Sequence, residues 1–116
     1  MSGVAEINNG RILADFMLYE RQAEICKAFA NPIRLRIMDI LSQRECAFSE
    51  LQSNLAITKT NLSQQISVLK RAGVVMTRRD GQRIFCSLAI PEVETACQIL
   101  REVLRKQLQA GSSLVA

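Results

Sequence analysis

The chain has no histidine. That absence removes imidazole general bases, cysteine–histidine dyads and every metal site that relies on a ring nitrogen. The four cysteines, Cys26, Cys46, Cys86 and Cys97, lie far apart, and no two form a CxxC pair. Neither a zinc ribbon nor a thioredoxin-type motif is therefore expected, and no metal or cofactor is implied. An enzyme built on this sequence would have carboxylates or thiols alone to work with, and none are grouped for it. No apolar run approaches the ~18 residues of a membrane span. The opening MSGVAEINNGRILADF lacks a basic segment followed by an apolar one, so no secretory signal is read there. The expected compartment is the cytoplasm, where thiols stay reduced. Internal repeats and low-complexity tracts are missing as well.

What is present has the composition of one globular domain. The chain of 116 residues is 48% hydrophobic and 22% charged, enough for one core and too short for two. Residues 1–116 therefore read as a single domain. Fifteen Lys and Arg against eleven acids leave a net charge of +4, which by itself is only a weak pull toward a polyanion.

The informative stretch is Thr58 to Gly73, TKTNLSQQISVLKRAG. Thr58 can cap a helix. Leu62, Ile66 and Leu69 recur at spacings of four and three, one buried helical stripe. The remaining positions carry Lys59, Asn61, Ser63, Gln64, Ser67 and Lys70. A merely soluble face would use Glu and Lys; amides and hydroxyls suit base edges and phosphates in a major groove. Gly73 can take the left-handed conformation that ends a helix.

Upstream, residues 1–8 read as a loose tail. Ile12, Phe16, Tyr19, Ala23 and Cys26 then mark a helix to about Ala30 whose apolar stripe is wider than one core needs. Asn31 caps a second helix with Pro32 at its first position; it is expected to bury Ile33, Ile37, Ile40 and Leu41, with Arg34 and Arg36 on a solvated face or touching phosphates. Arg44 to Phe48 reads as short and irregular. Ser49 is expected to cap a third helix with Leu51 and Leu55 inward. This pair of short helices with a tight connection reads as helix-turn-helix. Downstream, Asp80-Gly81 is a two-residue hairpin signal between VVMTRR and RIFCSL. Arg78, Arg79 and Arg83 sit at its tip, where guanidinium groups can reach phosphates or a minor groove. Pro91 opens a last helix with a seam of Val93, Ala96, Cys97, Leu100, Val103, Leu104 and Leu108. The seam is too long to be covered within so small a domain, and with the first helix it reads as a dimer interface. The closing GSSLVA reads as frayed.

The order is therefore three helices, a recognition helix, a β-hairpin and a final helix: a mainly α fold with a β-hairpin wing. It resembles the winged helix-turn-helix repressors of the ArsR/SmtB family. KAFANPIRLRIMDIL (27–41) is similar to that family's KALANPTRLRILxLL segment, and FSELQSNLAITKTNLSQQISVLKRAGVV (48–75) to its ELAxxLGLSQSTVSxHLxxLxxAGLV segment. RRDGQRIFCSL (78–88) is similar to its wing. The resemblance covers roughly residues 20–90. It implies a homodimer that binds a two-fold symmetric double-stranded DNA operator and a repression relieved by an inducer, often a metal or an oxidising or sulfur species. The DNA-binding core would span about 31–90 and the dimerisation helices about 10–30 and 91–110.

The family's inducer positions are not matched. Where arsenic-responsive members carry CVCDL, this chain has Ala47-Phe48-Ser49-Glu50-Leu51. The Asp and His ligands of the zinc-type last helix have no counterpart, the recognition helix holds no cysteine, and the persulfide-sensing cysteine of the second helix aligns with Asp39. In a winged helix the segment before the third helix commonly pairs with the returning wing strand, which would bring Cys46-Ala47-Phe48 alongside Phe85-Cys86-Ser87 and, where register and facing agree, the two thiols to disulfide distance. These two thiols are the candidate sensor, either as a disulfide-forming pair or as a soft-metal site, against a plain structural reading. Cys97 and Cys26 read as small buried hydrophobes, Cys26 either in the core or between subunits.

The expected DNA-contact set is Thr58, Lys59, Thr60, Asn61, Ser63, Gln64, Lys70, Arg78, Arg79 and Arg83. Gln64 is the candidate for an adenine edge, with Arg79 and Arg83 on phosphates. Two other readings stay open: a winged helix that binds protein instead of DNA, which would want an acidic or apolar recognition face, and a small thiol enzyme, which would need an activated cysteine.

Overall fold

A computed structural model describes residues 9–111. The expected loose ends, residues 1–8 and 112–116, lie outside the described residues. The elements run α1 (Asn9–Ala28), α2 (Pro32–Leu41), β1 (Cys46–Ala47), α3 (Phe48–Leu55), α4 (Lys59–Arg71), β2 (Val75–Asp80), β3 (Arg83–Leu88) and α5 (Pro91–Gln109). Helices α2, α3 and α4 and the small sheet enclose the core, a winged helix-turn-helix.

Helix α2 begins as its sequence signals. The Asn31 side chain accepts the Ile33 and Arg34 N–H groups at 2.9 and 3.2 Å, and Pro32 needs no partner at the first position. Ile37, Met38 and Leu41 are buried, whereas Ile33 and Ile40 sit at the margin. The buried stripe is rotated from the expected one because α2 is packed from several sides, by α3, α4, β3 and α5.

The segment expected to be irregular holds β1, which leads straight into α3. The helix starts at Phe48, so Ser49 is not its cap. Ala47 occupies that position and has no side-chain acceptor. The Glu50 carboxylate instead reaches back and accepts the Ala47 N–H at 3.0 Å. Ala47 is still paired with Phe85 in the sheet, which sets where the helix can begin. Helix α3 ends on Ala56 at φ 53, left-handed for a residue with a Cβ.

Helix α4 buries Leu62, Ile66 and Leu69. Its C-terminus closes as a Schellman turn. Gly73, at φ +78, donates to Lys70 O, and Val74 donates to Leu69 O, both at 3.0 Å. Val74 and Leu69 are both fully buried, so the turn delivers the chain into β2 with an apolar clasp.

The sheet is antiparallel in the order β1-β3-β2, with Cys46 opposite Cys86 and Arg78 opposite Phe85. The two-residue turn is Gly81-Gln82, one residue later than the Asp80-Gly81 signal suggests, because Asp80 still pairs with Arg83. Gly81 at φ +63 supplies the positive φ at the first turn position.

Helices α1 and α5 are held at one end only. Ile25, Ala28 and Phe29 of the first segment touch the core, as do Val93 and Cys97 of α5. Glu94, 1% exposed, accepts from Arg101 Nη2 at 2.7 Å, and Arg101 also reaches Asp39 of α2 at 3.4 Å. Beyond these anchors, Ile12, Leu13, Phe16, Met17, Leu18 and Tyr19 of α1 and Ile99, Leu100, Val103, Leu104 and Leu108 of α5 are exposed. Cys26 is exposed too, so it is not a core residue of the single chain.

The left-handed Ala56 generates a prediction. A Cβ in that conformation costs roughly 1–2 kcal/mol, and glycine would lose roughly 0.5–1 kcal/mol of that gain to unfolded-state entropy. Ala56→Gly should raise stability by about 0.5–1 kcal/mol, read as a higher urea midpoint at unchanged slope; a lower midpoint would contradict the strain.

Candidate nucleic-acid interface

Thr58 stands at the cap of α4 in extended geometry, and its Oγ1 accepts the Asn61 N–H at 3.0 Å. No acid lies in the first turn. The partial positive charge of that helix end and the exposed Lys59 therefore remain available to an anion. The three buried residues decide which side of α4 looks outward. Thr60, Ser63, Gln64, Ser67 and Arg71 line one shallow outer surface. Lys59 and Ser63 also border a cleft of about 390 Å³ that is lined from the wing by Gln82, Arg83 and Ile84 and from the first turn of α3 by Phe48, Ser49 and Gln52. Helix and wing thus converge, with Lys59, Ser63 and Arg83 on the same cleft. Lys70 is exposed about three turns further along α4 and does not line it.

Gln65 turns toward α2, and Asn61, half-exposed in the first turn of α4, lies beside it. Gln65 Nε2 donates to Asn61 Oδ1 at 2.9 Å, and Arg34 Nη1 donates to Gln65 Oε1 at 2.8 Å. Arg34 Nε donates to the Ala28 carbonyl at the end of α1. Arg34 is therefore not freely solvated; it is half-buried and tied to α4. Arg36 does lie on the solvated face, paired with Asp39 at 3.1 Å.

The three wing guanidinium groups are not equivalent. Arg78 is held by both carboxylate oxygens of Glu45, at 2.6 and 3.0 Å, and lies 4.5 Å from the centre of the Phe85 ring. That pairing holds the Glu45 carboxyl below its usual range. Arg83 lies 4.9 Å from the same ring and keeps its charge at the cleft. Arg79 projects from the opposite face of the hairpin, across from Ile84, and has no ion pair among the described residues. At the base of the wing the hydrogen bond from Arg44, reinforced by the Ala47 N–H, holds Glu50 at about 2. Glu45 and Glu50 are thus each paired with a cation, whereas Asp80, opposite Arg83, has no ion pair among the described residues.

Residues 31–77 match the model of the arsR family of bacterial regulatory proteins. The regulator Rv0081 of Mycobacterium tuberculosis is 41% identical over 92 residues, 78% of this chain and 81% of that one. The chain belongs to the arsR family. Its fold is that of Rv0081, whose crystal structure superposes with a TM-score of 0.71 over 80% of this chain and 94% of that one at 40% identity. The homodimeric winged helix-turn-helix DNA-binding domain Mb0332 of Mycobacterium bovis matches with a TM-score of 0.75 at 29% identity, covering 83% and 89%. The biofilm growth-associated repressor of Agrobacterium fabrum is 43% identical over 67 residues, 58% of this chain and 57% of that one. As an arsR-family member the chain is a DNA-binding transcriptional regulator, which displaces the reading of a winged helix that binds protein instead of DNA. No helix of the described residues is long and apolar enough to cross a membrane.

Within this arsR-family frame the thiols can be placed. Cys46 and Cys86 are direct cross-strand partners, 3% and 0% exposed. Antiparallel partners stand roughly 4.5–5.5 Å apart at Cα, inside the range of a disulfide. Chemically the pair is quiet. Burial pushes the Cys86 thiol up to about 11, and burial also raises Cys46 against the opposing pull of Arg44. Cys97 is raised by burial as well. The register meets the distance condition for a sensor, while the surroundings hold both sulfurs in the unreactive protonated form. Among the described residues no three His, Cys, Asp or Glu side chains group as a metal site.

Arg71, Gln65 and Glu45 are not singled out by the sequence, and Arg34 is read there without its partner. Arg71 shares the outer surface of α4 and could have been found by extending the helical face one more turn. Arg34, Gln65 and Glu45 act through partners 31 and 33 residues away, and no local pattern announces them.

Cys86 sets a pH prediction. Its folded-state value lies above the 9.0 of an exposed thiol, so the native state holds its proton longer than the unfolded chain does. The associated stability is intact below pH 9 and is lost as pH rises from there toward about 11. In reducing buffer the wild type should lose stability over that window more steeply than Cys86→Ala, by up to about 1.4 kcal/mol per pH unit in urea unfolding. Parallel slopes would contradict the assignment.

Proposed function

We propose that the protein acts as a homodimer, joined through α1 and α5, that binds a two-fold symmetric operator and represses transcription by occupying it. The observation that carries this reading is the acid-free outer face of α4 meeting the wing at one cleft, with Lys59, Ser63 and Arg83 converging there. In the bound dimer each α4 lies in a major groove. Thr60, Asn61 and Gln64 reach base edges, Gln64 toward an adenine. Thr58, Lys59 and Ser63 hold the adjoining phosphates, and Arg79 and Arg83 hold the backbone at the wing. Lys70 adds long-range charge, and Arg78 braces the wing from its pair with Glu45. The exposed apolar residues of α1 and α5 support the dimer, because a monomer rarely leaves two such stripes in water. Mb0332, described as homodimeric, and the A. fabrum repressor are relatives of matching kind. Acting on chromosomal DNA sets the place of action in the cytoplasm.

The primary test is equilibrium binding of the reduced protein to a duplex from its own upstream region against a scrambled duplex, over a salt series. Selective binding with a steep salt dependence is expected; equal, weak binding would count against the operator reading. A reporter from that region should rise when the regulator is removed, and a fall would mean activation. Gln64→Ala should cost about 1–3 kcal/mol on the operator and relax one base position. Arg83→Ala should weaken all sequences alike and lower the salt slope by about one unit. Val103→Glu on α5 should convert the dimer to monomer in light scattering and weaken operator binding with it.

A further inference from the structure

Gln65 Oε1 accepts from Arg34, and Gln65 Nε2 donates to Asn61 Oδ1. This short chain has a direction that chemistry imposes. A guanidinium carries donors and no acceptor, so whatever faces Arg34 must accept. That places the oxygen of the Gln65 amide toward α2 and leaves its nitrogen facing Asn61. Asn61 must then accept in turn, which places Oδ1 inward and leaves the two N–H bonds of its own amide as the outward group. The Arg34 end is fixed, because its Nε is used on the Ala28 carbonyl. Asn61 is half-exposed in the first turn of α4, the part of a recognition helix that meets base edges.

We propose that Arg34, through Gln65, sets the orientation of the Asn61 amide so that Asn61 reads DNA as a donor only. The proposal rests on the operator-binding reading above. An asparagine free to rotate could donate to purine N7, guanine O6 or thymine O4, or accept from adenine N6 or cytosine N4, and would discriminate poorly. Held by this chain, Asn61 selects a base that offers an acceptor and disfavours one that offers only a donor at that edge. Arg34 and Gln65 touch no base in this scheme; they are positioning residues, and Asn61 is the residue that determines specificity.

The experiment measures binding of wild type and variants to the operator and to a panel of duplexes carrying every single base-pair change in one half-site, at fixed salt. Gln65→Glu keeps an acceptor for Arg34 and offers Asn61 only an acceptor, which forces the amide to turn over and present Oδ1 outward. Asn61→Asp presents an acceptor without touching Arg34. Both should swing the preference at the same one base pair toward a base presenting a donor, by on the order of tenfold, whatever uniform loss the added negative charge brings. Arg34→Gln, which can donate or accept, should flatten the preference at that position, and Arg34→Lys, again donor-only, should keep it. Thermal melts confirm that each variant is folded; should the Arg34 variants fail to fold, Gln65→Glu and Asn61→Asp decide alone. Variants that weaken all duplexes by one common factor would overturn the proposal and leave operator binding standing. A wild type that does not separate the operator from scrambled DNA would overturn the operator reading itself.

Discussion

Everything outward-facing in this protein depends on three side chains that face inward. Leu62, Ile66 and Leu69 are 0%, 6% and 0% exposed. Burying a large aliphatic side chain is worth roughly 1.5–3 kcal/mol, so the three together contribute about as much as the whole net stability of a typical domain. Helix α4 cannot rotate about its axis without losing most of that. The identity of its outer surface, Thr60, Ser63, Gln64, Ser67 and Arg71, follows from the fixed rotation. The polar residues need no strong interactions of their own to be held in place.

The other contacts refine that placement. The Schellman turn at Gly73 sends the chain from the buried end of α4 into β2 at a defined angle. Pairing of β1 with β3 ties the start of α3 to the wing, so the Glu50 cap, the Arg44 pair and the Glu45–Arg78 pair all form around one short strand. Exposed ion pairs like these contribute little to stability individually. Their consequence is electrostatic: Glu45 and Glu50, at the base of the wing, are each engaged by an arginine. Glu94 and Arg101 do similar work at the root of α5, where a buried carboxylate is tolerable only with a cation against it.

Features set by neighbouring residues were legible in the sequence. The Asn31 and Thr58 caps, the Gly73 terminus and the α4 stripe are local, and each appears where its signal lies. The pairing of the Cys46 segment with the returning wing strand was reached from the family's topology and not from the residues themselves, and its register came only with the structure. The misses divide by cause. The hairpin turn shifted by one residue because Gly81, not Asp80, needs the positive φ, and a dipeptide signal does not say which of its residues leads the turn. Ser49 lost the cap because a strand pairing, invisible in sequence, had already claimed Ala47. Arg34 and Arg78 looked like free charge because their partners sit far along the chain. Met38 lies in the core and Ile33 at the margin because α2 has neighbours on several sides and no single stripe describes it. Cys26 became exposed because the surface that α1 leaves uncovered is larger than one chain can fill.

The sheet order β1-β3-β2 leaves β2 with one unpaired edge. An open edge is a template for another strand, and proteins commonly guard it with charge. Here the edge carries Arg78, Arg79 and Asp80 beside Met76, which is 55% exposed. The charges on this edge therefore keep one wing from zipping onto the next, and Arg79 is also the one proposed to hold the DNA backbone. Neutralising Arg79 would therefore bare the edge as well, and a loss of DNA binding in such a variant would have to be separated from self-association before it could be assigned to a lost phosphate contact.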